Sequence, residues 1–336
     1  MAADSGALVG VDGGNSKTIA LVAGLDGTVI GSARVDGCAD IYAIDPSRAL
    51  GVIRATLEAA LRSAPLHPTA ILAAAFSLAG ADWPDDIALY RELIGAAWPG
   101  LNAIVVNDAI GALRIAIPDG PGVVVVSGVG TGTAARGSNG RVWHSSHWQQ
   151  PQGARQLGEQ ALAAVVRTEL GIDPQTGLTA RILAESKASS VEVLLHRFTS
   201  RVDRADVAAL APTLLDLAET GDPTAARLVQ DHGAAIGVWA AAAARQVGIQ
   251  DMPFPFALTG GLFRHRGRIL STAIEQSIHV AAPGARIVKS AGEPAAGALL
   301  LAFDAAGVRV APSTLERLAA TVPLLTLFTG DPPARP

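Results

Sequence analysis

The chain has 336 residues, a formal net charge of −4, 17% charged and 49% hydrophobic side chains, and a single cysteine. At roughly 150 residues per domain this length predicts two domains, with ample core and no need of disulfides or structural metal. Mild acidity without a Lys and Arg cluster excludes the electrostatic footprint of a nucleic-acid binder, and Cys38 alone excludes an intramolecular disulfide or a cysteine-built zinc or iron–sulfur cage within one chain.

The apolar run Ala7–Val11 leads into Asp12-Gly13-Gly14-Asn15-Ser16-Lys17, and Thr18–Leu25 resumes a β-branched pattern, so two strands joined by a Gly-rich turn are expected. Val29–Val35 follows the Asp26-Gly27 turn signal as a third strand. Pro46–Arg62 reads as a helix capped by Asp45, Ala70–Phe76 as a buried strand, Pro84–Trp98 as a helix introduced by Asp82, and Leu101–Val106 as a short strand ending at Asn107-Asp108. Helices interleaved with strands imply an α/β lobe with part of its sheet parallel.

After the turn-rich break at Ile117–Gly122 the pattern begins again, with the strand Val123–Val126 and a second glycine turn, Ser127–Thr133. A strand leaving a Gly-rich turn thus occurs twice, which reads as an internal duplication. Helices are expected over Arg155–Leu170, Val191–Ser200, Arg204–Glu219 and Pro223–Val247. Phe254–Leu258 is then a strand opening into Thr259-Gly260-Gly261, followed by a helix from about His265 to Val280, a strand Ala285–Val288 and a helix Glu293–Ala305. The opening residues lack a basic stretch followed by an apolar core of roughly 7–15 residues. The longest apolar run, Ala234 to Ala244, is shorter than the ~20 residues that span a bilayer, so a cytoplasmic protein without a membrane partner is expected.

Gly-rich turns bring backbone amides close to phosphate oxygens because no Cβ intervenes. The first two turns pass from strand to strand, so a helix dipole is not expected to serve them; the third, at Gly260-Gly261, is expected to open a helix and to support the nucleoside or an α-phosphate. Asp12 places a carboxylate beside the first turn, where Mg²⁺ bound through water and phosphate needs one or two such groups; the alternative is an Asx-turn residue. Lys17 reads either as a phosphate partner or as a solvated hairpin lysine. Asp108 is placed to accept a hydroxyl proton during attack on a γ-phosphate, or to cap the helix over Ala109–Ile115. His144 and His147 lack a third ligand nearby and read as a polar loop, Trp148 as a sugar platform or a packing residue, and Arg155 as a partner for an anionic acceptor group or a helix-surface residue.

Val11-Asp12-Gly13-Gly14-Asn15-Ser16-Lys17-Thr18, Leu78-Ala79-Gly80-Ala81-Asp82, Val106-Asn107-Asp108-Ala109, Gly128-Val129-Gly130-Thr131-Gly132-Thr133 and Leu258-Thr259-Gly260-Gly261 occur in this order. In that order they resemble the BadF/BadG/BcrA/BcrD ATPase family, within the superfamily of sugar kinases, Hsp70 and actin. The resemblance implies two ribonuclease-H-like lobes with a nucleotide cleft between them: 1–118, with a final helix at 293–306 packing back on it; 119–292, with a helical insertion; and a tail, 307–336. It implies ATP-dependent phosphorylation of a hydroxyl on an N-acetylglucosamine-like or glucosamine-like sugar, by a homodimer. By that analogy Gly13, Gly14, Asn15, Ser16, Lys17 and Thr18 hold phosphate together with Gly130, Thr131, Gly132 and Thr133. Gly260 and Gly261 lie by the adenosine, Asp12 serves Mg²⁺, Asp108 is the base, and Asp40, Ser77, Gly80, Asn107, Asp108 and Trp148 line the acceptor pocket.

Two stretches depart from the family pattern. Ser145 to Glu159 lacks the acidic residue that the family places after its second phosphate turn, and Cys38-Ala39-Asp40-Ile41-Tyr42 stands where an Asn-containing sugar loop is usual. The departures bear on the acceptor, not on the nucleotide.

Overall fold

The computed structural model describes residues 6–65, 68–202, 205–323 and 327–328. Arg204, the expected start of a helix, lies outside the described residues, as do 1–5 of the first lobe and 324–326 and 329–336 of the tail. The chain divides into two compact units, one formed by residues 1–120, 146–148 and 289–336, the other by 121–145 and 149–288.

The first unit begins with three antiparallel strands, β1 (Ala7–Gly13), β2 (Thr18–Gly24) and β3 (Val29–Val35). Then follow α1 (Pro46–Ser63), β4 (Ile71–Leu78), α2 (Pro84–Ala97), β5 (Ala103–Asn107) and α3 (Asp108–Ala116). The strand order is β3-β2-β1-β4-β5, with β4 parallel to both of its neighbours. Alternation along β1 feeds two cores: Val9 and Val11 join Ile53, Leu57, Phe76 and Tyr90, whereas Leu8 faces Leu299 and Phe303. Leu299 and Phe303 belong to a helix from near the far end of the sequence.

The second unit contains β6 (Gly122–Ser127), β7 (Thr131–Arg136) and β8 (Val142–His144). The helices α4 (Ala154–Glu169), α5 (Gly177–Ser186), α6 (Val191–Thr199), α7 (Ala211–Glu219) and α8 (Pro223–Gln246) follow. The unit closes with β9 (Phe254–Thr259), α9 (Ile269–Ala281) and β10 (Ala285–Val288). Its sheet order, β10-β9-β6-β7-β8, repeats that of the first unit strand for strand, and both sheets are mixed. Two ribonuclease-H-like α/β units are therefore present. The final helices, α10 (Pro294–Ala305) and α11 (Pro312–Thr321), belong to the first unit.

Two helix expectations are corrected. The region leading to Glu219 is a short 3₁₀ turn, Val207–Leu210, followed by α7, and Pro212 at the start of α7 explains the break in regularity. The third glycine turn does not open an α-helix: a four-residue 3₁₀ turn, Gly261–Arg264, ends at His265 in extended conformation, and α9 begins only at Ile269. There the chain is tied to α7, since the Ile269 amide donates to Glu219 at 2.7 Å and Gly267 lies against the same carboxylate side chain. No helix among the described residues is long and apolar enough to cross a membrane.

Candidate functional site

Strand register decides which chemistry-bearing residues meet in the first unit. Asp12 pairs with Ser77 across β1 and β4, and Ser77 and Leu78 pair with Val106 and Asn107 across β4 and β5. The carboxyl ends of three neighbouring strands thus bring Asp12 and Asp108 to one edge. Burial and then the charge of Asp108 raise the Asp12 pKa to about 7, with Lys17 opposing. Burial, followed by the charge of Asp82, raises Asp108 likewise to about 7. Asp82 is itself raised by burial and by the charges of Asp40 and Asp86. The charges of these carboxylates thus raise one another's pKa. Among the described residues no three His, Cys, Asp or Glu side chains converge on a metal position, so the protein alone builds no cage.

The helix cap corrects one expectation: the N-cap of α3 is Asn107, not Asp108. Asn107 Oδ1 accepts from Ala109 N–H at 3.0 Å, and its Nδ2 donates to Asp82 at 2.9 Å. Asn107 is 2% exposed, and its amide is spent inside the protein. Ser77 is also buried; its hydroxyl donates to the carbonyls of Asn107 and Asp108. Both residues, expected at the acceptor pocket, hold the backbone that presents Asp108. Asp40 Oδ1 accepts from the Tyr42 amide, and Gly80, at φ +78°, fits because a Cβ would stand 2.4 Å from that same oxygen. Trp148 is 62% exposed, and His147 beside it lies against Trp83 with ring centroids 4.4 Å apart.

The first turn closes with the Gly14 amide donating to the Lys17 carbonyl, and the loops that follow β3 and β4 bond to it through Gly37, Ala39 and Ala79. Its two glycines differ. A Cβ on Gly13 would stand 2.7 Å from Leu78 and 2.8 Å from Ala39, whereas on Gly14 it meets only the Lys17 carbonyl at 3.4 Å. Asn15 and Ser16 are exposed and Thr18 is fully buried in β2. The Lys17 ammonium lies 5.7 Å from the centre of the Phe328 ring.

In the second unit a Cβ on Gly128, Gly130 or Gly261 would meet nothing within 4 Å, whereas one on Gly260, at φ +102°, would stand 2.4 Å from the Ser127 carbonyl. Space beside Gly128 and Gly130 therefore lies open. The carbonyls of the turn point the other way: Gly128 accepts from the Ala154 amide at 2.9 Å and Val129 from the Arg155 amide at 3.1 Å. These are the first amides of α4, which a helix leaves without internal partners. The strand-to-strand turn is thus backed by a helix N-terminus that satisfies its carbonyls. Thr131 bonds Ser127 through their hydroxyls at 2.6 Å. Thr133, expected near phosphate, is buried and donates to Gln150 Oε1.

Residues 9–302 match the BadF/BadG/BcrA/BcrD ATPase family. The chain belongs to this family. It is 24% identical over 315 residues to the N-acetyl-D-glucosamine kinase of Dictyostelium discoideum, covering 88% of this chain and 97% of that protein. It is 23% identical over 300 residues to the N-acetylmuramic acid/N-acetylglucosamine kinase of Clostridium acetobutylicum, with the same coverage. A crystal structure from Chromobacterium violaceum, provisionally assigned as an N-acetylglucosamine kinase, superposes with TM-score 0.69 at 26% identity, over 89% of this chain and 99% of that one. A ROK family glucokinase from Streptomyces griseus, in complex with glucose and AMPPNP, shares the fold at TM-score 0.61 and 18% identity, over 89% of this chain and 100% of that one.

Residues of this family member that its motifs did not single out include Tyr90 and Asp86 on α2. The Tyr90 hydroxyl donates to the Ala39 and Ala79 carbonyls at 2.6 and 3.1 Å and accepts from the Ile41 amide. Asp86 accepts from the Tyr42 hydroxyl and from the Trp83 amide. Amphipathic spacing explains Tyr90 as a core residue, and nothing local in the sequence marks its hydroxyl as the clasp between two loops.

Proposed function

We propose that this chain is an ATP-dependent kinase that phosphorylates a hydroxyl of an amino sugar of the N-acetylglucosamine type. The observation that carries the reading is the register that brings Asp12 and Asp108, on either side of β4, to the carboxyl edge of one sheet, beside the turn that begins at Gly13. In this reading Asp108 takes the proton of the acceptor hydroxyl as its oxygen attacks the γ-phosphorus; its raised pKa suits a base working near neutrality. Asn107 and Ser77 orient Asp108 through the backbone, and Asp82 holds the Asn107 amide.

The nucleotide phosphates are assigned to the turns at Gly13–Thr18 and Gly130–Thr133, and the adenosine to Gly260 and Gly261. Open space at Gly128, Gly130 and Gly261, and no more than an ordinary contact at Gly14, support the fit: neither packing nor a left-handed φ demands glycine there, so the small residue serves what lies outside the protein. Asp12 would hold Mg²⁺, and the cation would supply charge neutralisation at the transferring group. The acceptor is assigned to Asp40, Gly80, Asp108 and Trp148. The chain is further read as a cytoplasmic homodimer acting on a small sugar.

Coupled detection of ADP with ATP, Mg²⁺ and a panel of sugars tests the proposal. ADP release is expected to require N-acetylglucosamine, glucosamine or a close relative, and Asp108→Asn is expected to lower kcat by roughly 10²–10⁴ while ATP still binds. ATP turnover indifferent to every sugar and amino sugar offered would overturn it.

A further inference from the structure

The N-terminus of α4 is held by a side chain from another helix of the second unit. His232, on the buried face of α8, is 2% exposed, and its Nε2 accepts from the Gly153 amide at 3.3 Å. That bond requires a lone pair on Nε2, so the neutral ring carries its proton on Nδ1, which has no hydrogen-bond partner. A ring that leaves one buried nitrogen unsatisfied is a costly choice for a core position that an aliphatic residue would fill. The cost is explained by what the other nitrogen does. Burial also lowers the imidazole pKa to about 4, which keeps the accepting form at neutral pH.

Gly153 is the N-cap of α4, at φ +136°, and a Cβ there would stand 2.5 Å from the Val129 carbonyl. Its amide and the next two form a consecutive set: Gly153 to His232, Ala154 to the Gly128 carbonyl, Arg155 to the Val129 carbonyl. Removing the acceptor at Nε2 leaves a buried amide unpaired. The peptide that carries it, Gln152–Gly153, meets at the Gly153 Cα the peptide whose Ala154 amide bonds the turn.

We propose that His232 is a positioning residue for the nucleotide: through the Gly153 amide it fixes the N-terminus of α4 and with it the orientation of the Gly128–Gly130 turn. This rests on the assignment of that turn to phosphate.

The test measures binding of a non-hydrolysable ATP analogue by calorimetry and the KM for ATP and for sugar in the full chain. His232→Leu removes the acceptor, while His232→Gln restores one, since the glutamine amide reaches the position of Nε2. His232→Leu is expected to weaken the analogue and raise the ATP KM roughly tenfold, as one unpaired buried donor does, with the sugar KM within twofold; His232→Gln is expected to recover most of the loss. If His232→Leu does not fold, His232→Asn replaces it, because the shorter amide reaches only the Nδ1 position. Equal loss in the accepting and non-accepting variants, or a parallel rise in both KM values, would assign His232 to packing and overturn the proposal. Gly130→Ala separates the premise from the inference. A weakened Gly130→Ala beside an unaffected His232→Leu overturns only the role of His232, whereas an unaffected Gly130→Ala removes the phosphate assignment and the proposal together.

Discussion

Gly111 of α3 and Gly297 of α10 cross so closely that a Cβ on Gly297 would stand 1.8 Å from the Gly111 carbonyl oxygen. On its other side Gly111 receives Ser77, whose Oγ would lie 2.4 Å from a Cβ added there. Asp108 therefore sits at the head of a helix clamped between two surfaces that admit no side chain. Gly297→Ala is expected to destabilise the protein by about 1–3 kcal/mol or more, since overpacking at a backbone contact has no flexible side chain to absorb it. Chemical denaturation of the variant measures this, and a stability unchanged from wild type would show that α10 shifts without cost.

The neighbouring glycines of the first turn are expected to fail in opposite ways. Gly13→Ala meets Leu78 and Ala39 and should lower thermal stability with or without nucleotide. Gly14→Ala has room and should fold as wild type, yet lose nucleotide affinity. Thermal shift with and without MgATP separates them, because a ligand of the folded state raises stability by mass action. Undiminished stabilisation of Gly14→Ala by MgATP would contradict the assignment of that turn.

Much of this arrangement is legible from local pattern. The two strand–turn–strand units are marked by apolar runs flanking Asp12–Lys17 and Ser127–Thr133, and the helices by three- and four-residue spacing. What local pattern misses is long-range bonding. Asp108 and Asn107 are equally plausible caps by residue type, and only the register of β4 against β5 gives Asn107 the cap and Asp82 as a second partner. Ser77 and Thr133 occur in the right motifs but on stretches of β4 and β7 that are buried continuously rather than on alternate residues. The helix over Arg155–Leu170 is expected from its spacing and is present as α4, but the bonding of its first amides to the carbonyls of the second turn leaves no local signal in the sequence.

Tyr90→Phe is expected to loosen both loops it ties. Losing the hydroxyl leaves the Ala39 and Ala79 carbonyls and the Ile41 amide to find other partners, a loss of about 1–3 kcal/mol for a buried group left unpaired. The sugar KM should rise more than the ATP KM, because the tied segments include Asp40 and adjoin Gly80, while the Ala39 and Ala79 amides keep their bonds to the first turn. Steady-state kinetics varied in each substrate decide this, and a rise confined to ATP would reassign the loops.

His232 makes stability depend on pH. Its pKa is about 4 in the folded protein, against an ordinary value near 6.5. The unfolded chain therefore binds the proton first, and stability is lost as pH falls from about 6.5 to about 4, by up to about 3 kcal/mol in total. Comparing urea denaturation of wild type and His232→Gln across this range isolates the effect from other titrating groups. The wild type is expected to lose stability faster than the variant as pH falls, and parallel curves would refute the linkage.

The first unit is discontinuous in sequence: α10, which covers one face of its sheet, is made only after the whole of residues 149–288. On a ribosome, β1 to β5 emerge early but wait with Leu8, Ile19 and Leu21 uncovered until Leu299 and Phe303 arrive. The second unit, nearly continuous, has all its own partners sooner. Synthesis should thus complete the unit carrying the second glycine turn first, and a chain stalled before residue 294 should expose an apolar sheet face that invites chaperones or aggregation.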